Sequence, residues 1–212
     1  MYGGGKMTLY ESLLQRFGYN EPIFSNEIIF EDYSKPWIYK ELNKLCEQKV
    51  IVRFDKGIYY IPKQTMFGIS VINPRKIIEK RYIKSDREVF GFYGGQTLLN
   101  QVGISTQMPN IIEVYTNNES AKIRDVDIGC QKVRLRKSRV NITESNEAIL
   151  SFLEMMNSIA PEDIDEDKKS IIVKYVMGKG IKRKDITSYA PSFPDKAMRN
   201  LIESEVIYSV TQ

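Results

Sequence analysis

A chain of 212 residues with 42% hydrophobic content is long enough to bury a small domain beside a larger one. It contains no histidine, which removes Ser-His and Cys-His nucleophile pairs and the commonest zinc ligand together, leaving carboxylate and lysine chemistry with a hard metal as the enzymatic options. No run approaches the roughly 18 apolar residues of a membrane span and no cleavable apolar leader opens the chain, so a cytoplasmic protein with no membrane partner and no cofactor is expected. The opening Met1 to Gly5 reads in part as an appended remnant.

In chain order, Met7 to Phe17 predicts a helix with Leu9, Leu13, Leu14 and Phe17 inward and Gly18 as its stop. From Ile23 to Pro62 the pattern is that of a winged helix-turn-helix. Ser25 to Phe30 is expected as a short helix, and Asp32, Tyr33 and Ser34 as a polar turn. Ser34, Lys35 and Pro36 then open a longer helix to about Gln48, since Ser caps free N–H groups and Pro tolerates the first turn. Ile38, Leu42, Leu45 and Cys46 repeat at three-to-four spacing and form its buried stripe. Two apolar runs, Val50 to Phe54 and Ile58 to Ile61, joined by Asp55, Lys56 and Gly57, predict a hairpin wing.

The outer face of the longer helix is then basic and hydrogen-bonding, which suits a major groove, while a cationic wing tip suits neighbouring phosphates. The candidate DNA-binding residues are Ser34, Lys35, Trp37, Tyr39, Lys40, Asn43 and Lys44 on the helix and Arg53 and Lys56 on the wing. Lys35, Tyr39 and Lys40 project from the turns that approach base edges, Lys44 is placed for phosphate, and Trp37 is open between packing and backbone contact. A protein-binding winged helix with solvated lysines is the alternative. Charge favours DNA: residues 1–84 hold 14 Lys+Arg against 9 Asp+Glu, whereas 85–160 hold 8 against 9 and 161–212 hold 9 against 9.

Residues 63–85 are expected as a linker, irregular through Gly68 and then carrying a basic amphipathic helix, Arg75 to Tyr82 after Pro74, with Ile77 and Ile78 on its apolar side. Residues 86–212 predict a mixed α/β domain. Val89 to Tyr93 is a strand that turns at Gly94 and Gly95 into a helix, Gln96 to Val102, ended by Gly103. A Gly pair there either cradles a phosphate or permits close helix packing; the missing Gly-Lys-Ser/Thr pattern favours packing. Strands follow at Ile111 to Thr116, Ala121 to Val126 and Cys130 to Lys137. In the last, Lys132, Arg134 and Arg136 share a face at about 6 to 7 Å intervals, and with Lys137 and Arg139 they make a second basic site for nucleic acid or a partner, or else a solvated face. Cys46 and Cys130 are expected as packed thiols.

From Thr143 onward helices are expected: one capped by Thr143 with Ile149, Leu150, Phe152, Leu153 and Met156, one ending at Met177, and a last one opened by Ser192, Pro194 and Asp195 with Met198, Leu201 and Ile202 inward. Its end, Leu201 to Ile207, echoes Leu45 to Ile51 without a wing or a basic face. The acidic run Glu162, Asp163, Asp165, Glu166, Asp167 before Lys168 and Lys169 contains a Glu-x-Lys order used by some metal-dependent nucleases. It also suits a helix N-terminus, which is the reading preferred, with no metal site and no catalytic residue assigned.

The block Lys56-Gly57-Ile58-Tyr59-Tyr60-Ile61-Pro62 and the block Gly94 to Pro109, GGQTLLNQVGISTQMP, resemble the AbiEi-type antitoxin and transcriptional regulator family of type IV toxin-antitoxin, or abortive-infection, systems, over roughly residues 6–160. The resemblance implies an α+β fold, with a winged helix-turn-helix at 6–62, the linker at 63–85 and an antitoxin domain at 86–212 ending in helices. It further implies a non-enzymatic autorepressor on double-stranded promoter DNA that counteracts a nucleotidyltransferase toxin without a tight complex. The rival readings are a winged-helix-targeted metal-dependent nuclease and a standalone transcriptional regulator.

Overall fold

The computed structural model describes residues 7–31 and 33–210; the opening Met1 to Gly5, Lys6 at the expected start of the first domain, and Asp32 of the expected polar turn lie outside them. The fold is α+β, and the chain divides into two compact units, one through Lys80 and one from Arg81. No described helix is long and apolar enough to cross a membrane.

The first unit opens with helix α1, Leu9–Phe17, whose start is fixed by a capping box. The Glu11 amide donates to Thr8 Oγ1 at 3.3 Å and the Thr8 amide donates to Glu11 Oε2 at 2.9 Å. Strand β1, Ile23–Phe24, comes next, then helix α2, Lys35–Glu47, and strands β2, Val52–Asp55, and β3, Ile58–Tyr60. The three strands form one antiparallel sheet in the order β1-β3-β2. Beneath it Leu9, Leu13, Ile23, Ile28, Ile38, Leu42, Leu45, Ile51, Tyr59 and Ile61 make one core, so the helical stripe expected on α2 does face inward. Lys49 leaves the helix with φ 58°, which moves Val50 and Ile51 out of the expected strand and into the connection.

The helix expected at Ser25 to Phe30 is not formed. The Ser25 amide donates to Gly57 O at 2.9 Å and the Glu27 amide to Phe24 O at 2.9 Å, so the segment is a turn leaving a paired strand. A helix that short closes few i→i−4 bonds against its nucleation cost. Of the adjacent apolar residues, Ile28 is buried while Ile29 is exposed.

In residues 63–85, expected as a linker irregular through Gly68 and then carrying an amphipathic helix, the helix is present, and the part expected to be irregular contains a hairpin. Strands β4, Gln64–Thr65, and β5, Gly68–Ile69, form a hairpin, and helix α3 runs over Pro74–Tyr82. Ile72, Ile77 and Ile78 are fully buried. Lys80 ties the helix to the first unit by donating to Pro22 O at 2.8 Å and Glu27 Oε2 at 2.7 Å, and Lys76 pairs with Glu21.

In the second unit, strand β6, Gly91–Tyr93, leads through Gly94 into helix α4, Gly95–Val102, followed by β7, Ile111–Thr116, β8, Ile123–Ile128, and β9, Gln131–Lys137. The sheet order is β6-β7-β9-β8, with β7 and β9 parallel and the other pairs antiparallel. Four helices complete the unit: α5, Glu147–Ser158, α6, Glu166–Gly178, α7, Arg183–Tyr189, and α8, Asp195–Glu203. Every residue from Ile149 to Met156 of α5 is buried, which makes it the central helix of this half. Its C-terminal end is closed from α8, where buried Asn200 donates from Nδ2 to Met156 O at 2.7 Å and Ile159 O at 2.6 Å.

Three expectations for this region are corrected. Thr143 does not cap α5; the cap position is Asn146, whose side chain turns back to accept the Thr143 amide at 2.8 Å. Ile202 of α8 faces out, because Ala197, Asn200 and Leu201 take the inward phase of the helix. Cys130 is exposed in the turn between β8 and β9, and Cys46 is half-buried. The echo between Leu45 to Ile51 and Leu201 to Ile207 has a local structural meaning: Lys49 and Glu205 hold the same place in it and both are left-handed, at φ 58° and 61°, so the two segments share a helix exit.

Candidate nucleic-acid interface

Along α2 the stripe Ile38, Leu42 and Leu45 is buried, so helical periodicity leaves Lys35, Tyr39, Lys40, Asn43 and Lys44 exposed on the opposite side. Lys35 and Lys40 form no ion pair with a described residue, and Lys44 makes one exposed contact at 3.3 Å with Glu41, of a kind worth little in water. Ser34 occupies the N-cap position with an extended backbone, but its side chain makes no capping hydrogen bond. Trp37 is committed to packing on one side: its ring stacks on Tyr33 with centroids 4.1 Å apart and planes at 11°. It remains 38% exposed on the other. Tyr33 in turn donates to Met7 O at 3.2 Å, tying the start of α2 to the start of α1.

At the β2–β3 turn, Gly57 adopts φ 74°, which a side chain rarely adopts. Asp55 Oδ1 accepts the Lys56 amide at 2.6 Å, which leaves the Lys56 side chain exposed at the tip. Arg53 is exposed on β2 and its Nε donates back to Asp55 O at 3.4 Å. The first unit thus brings α2 and the turn of its hairpin together in one small body, with Lys35, Lys40 and Lys56 unpaired among the described residues.

The second basic site has a different character. Arg134 on β9 grips Asp125 of β8 with two bonds of 2.9 Å, Arg136 donates to Glu113 of β7 at 2.7 Å, and Arg139 reaches Glu154 of α5 at 3.3 Å while lying 5.1 Å from the Phe193 ring centroid. The three arginines of the expected basic site therefore each meet a carboxylate from another element, whereas Lys132 and Lys137 are the exposed members left without an ion pair among the described residues. The Arg134 guanidinium holds the Asp125 carboxyl below its usual range.

Sequence reasoning did not single out two buried carboxylates. Glu154, nearly inaccessible, accepts the Tyr115 hydroxyl at 3.0 Å beside a shallow cleft lined by Phe92, Tyr115, Arg139, Val140, Glu154 and Phe193. Burial, reinforced by the Glu154 charge, pushes the Tyr115 hydroxyl well above its usual pKa. Glu119 accepts the Ser120 and Ala121 amides at 3.0 Å and Arg124 Nε at 2.7 Å. In both cases the polar groups satisfy one another, as buried charges must. A lone Glu in an apolar run, Leu153-Glu154-Met155, was the available signal for the first.

The acidic run sits at the start of α6. Asp165 is its N-cap and accepts the Lys168 amide at 2.9 Å, which lowers its pKa, while Glu166 and Asp167 occupy the first turn. No group of three or more potential metal-ligating side chains occurs among the described residues. The Gly94 to Pro109 block closes a helix onto a loop. A Cβ on Gly94 would stand 2.5 Å from the Tyr115 ring, so the glycine permits close packing. Gly103 ends α4 in the left-handed region, Gln96 bonds the Ser105 hydroxyl, and Asn100 Nδ2 donates to Ser105 O at 3.2 Å.

Residues 22–186 match the family of unknown function DUF6088, and the chain belongs to that family. No curated protein matches it.

Proposed function

We propose that the chain is a DNA-binding transcriptional autorepressor and antitoxin, with α2 as the groove-reading helix of a winged helix and the β2–β3 turn as its wing. The observation that carries the reading is the outer face of α2, where Lys35, Tyr39, Lys40, Asn43 and Lys44 are all exposed and the lysines are almost free of carboxylate partners. Phosphates and base edges are the chemistry such a face complements. The element order supports it as well: helix, strand, turn, helix and hairpin, with the first strand paired to the last. In this chain the middle helix of the motif is reduced to the turn at Ser25 to Glu27, so the groove-reading helix is held from below by the core and from its start by the Tyr33–Trp37 stack.

The antitoxin half rests on the resemblance carried by Lys56 to Pro62 and Gly94 to Pro109 and assigns to the second unit the counteraction of a nucleotidyltransferase toxin, without a tight complex, in the cytoplasm. Lys132 and Lys137 are its exposed basic candidates; Arg134, Arg136 and Arg139 serve it through ion pairs that order the unit. A reporter placed behind the DNA upstream of the chain's own reading frame tests the first half. Repression by the full chain that is lost on Lys40→Ala supports the reading, and a reporter indifferent to the protein rejects it. Growth rescue of cells expressing the product of the adjacent reading frame, where that frame encodes a nucleotidyltransferase, tests the second half separately: rescue supports it and unrelieved toxicity rejects it.

A further inference from the structure

Hairpin β4–β5 carries the most exposed apolar side chains of the described residues: Met66 and Phe67 at its tip are 98% and 101% exposed, and Val71 is 79% exposed. Strand alternation sets Phe67, Ile69 and Val71 outward and turns Gly68, Ser70 and Ile72 toward the body. Solvent exposure of an aromatic and a methionine side by side is costly, and it marks a contact surface rather than a stray surface residue.

The hairpin is also stiff. At its base Ser70 Oγ accepts the Lys63 amide at 2.8 Å and donates to Asn20 Oδ1 at 2.6 Å, with Ile72 buried beneath. At its tip Thr65 Oγ1 donates to Gly68 O at 2.7 Å and accepts the Phe67 amide at 3.3 Å. The two apolar side chains are thus presented on a braced turn. Along the chain the segment is free of acid: no Asp or Glu lies between Asp55 and Glu79, while Lys56, Lys63, Arg75 and Lys76 do, the last of them paired with Glu21 from outside the segment.

An apolar tip within an acid-free cationic segment matches a duplex, whose base stack is apolar and whose surface is polyanionic. We propose that Phe67 and Met66 form a wedge that enters the minor groove of bound DNA and opens a base step, with Ile69 and Val71 against the groove wall. This rests on the DNA-binding reading above and adds to it a deformation of the bound duplex. A second copy of the chain is a poorer occupant, because symmetric pairing would bring two acid-free cationic segments together. A single row of four side chains also falls well short of the roughly 800 Å² per partner of a stable dimer.

The test uses the full chain on a nicked circular plasmid, which is sealed with ligase in the presence of protein, stripped and resolved into topoisomers. Gel retardation of the same plasmid fragments sets wild type, Phe67→Ala and Phe67→Leu to equal occupancy. Because Phe67 is fully exposed, its variants keep the fold, which circular dichroism verifies. The expected result is a lowered linking number with wild type, retained by Phe67→Leu and lost in Phe67→Ala. A shift that survives Phe67→Ala, or full occupancy by wild type with no shift, overturns the wedge and leaves DNA binding standing. Absence of plasmid occupancy by wild type overturns both. Two further outcomes also overturn the wedge: Phe67-dependent binding to phosphatidylcholine–phosphatidylserine vesicles without binding to plasmid, or Phe67-dependent dimerisation with the topoisomers unmoved.

Discussion

Arg134 and Asp125 face each other across β8 and β9, and the guanidinium Nε and Nη2 each donate to one carboxylate oxygen at 2.9 Å. Arg134 therefore belongs to the sheet before it belongs to any ligand. Arg134→Glu should lower the melting temperature by placing two carboxylates in register, and the exchange Asp125→Arg with Arg134→Glu should recover most of the loss. Thermal denaturation of the three proteins checks this. Equal stability of all three would return Arg134 to the pool of available surface cations.

Acid should erode stability through a defined set of carboxylates. Glu11, bonded by the Thr8 amide, Asp125, bonded by Arg134, and Asp165, bonded by the Lys168 amide, all hold their pKa below the ordinary value. Glu119 does so as well: burial raises its pKa, but the Ala121 amide, Arg124 and the Ser120 amide together outweigh that. A group depressed in the folded state stabilises above its unfolded pKa, so their contribution is whole at neutral pH and is lost as pH falls below about 4 through the folded values. Urea midpoints measured downward from pH 6 should drop there, and Asp125→Asn should flatten the drop. An unchanged profile in that variant would contradict the assignment.

Gly94 tests why two glycines separate β6 from α4. The Cβ of Gly94→Ala would lie 2.5 Å from Tyr115 Cε2, and overpacking of that kind costs roughly 1 to 3 kcal/mol. Chemical denaturation should register a loss in that range. A neutral result would remove the packing explanation.

Asn200 should be among the least replaceable polar residues. Its side chain satisfies two carbonyls at the end of α5, and Asn200→Ala would strand both, at about 2 kcal/mol or more. Asn200→Asp should be worse at neutral pH, since a carboxylate would face two carbonyls, and should recover in part on acidification. Unfolding curves at two pH values distinguish these outcomes.

What the chain order reveals and what it hides follow from the range of the interactions involved. Helix α2 was legible because Ile38, Leu42 and Leu45 repeat with the period of the helix they bury, and the β2–β3 hairpin because Asp55, Lys56 and Gly57 carry their own turn chemistry. The turn at Ser25 to Glu27 was not, since it depends on Gly57 across the sheet. Nor was the hairpin at Gln64 to Ile69, whose two-residue strands have too little length to show a period and whose anchor is Asn20, far away in sequence. The same holds for the second basic site. Alternation sets Lys132, Arg134 and Arg136 on one face of β9, but the carboxylates that hold the two arginines come from β8 and β7, and no local pattern announces a carboxylate brought alongside by register. For α7, one turn-rich segment of seven residues offers only Ile186 to the core, below what periodicity resolves.

The central claim is that α2 reads DNA, and affinity as a function of salt tests it most directly. Duplex from the chain's own upstream region and a random duplex are titrated at several salt concentrations with wild type, Lys40→Ala and Lys44→Ala. Lys44→Ala should weaken both duplexes alike and lower the salt slope by about one, because one neutralised phosphate is lost. Lys40→Ala should cost roughly 1 to 3 kcal/mol chiefly on the upstream duplex. If both variants keep wild-type affinity and slope on both duplexes, α2 is not the DNA-reading element and the proposed function is contradicted.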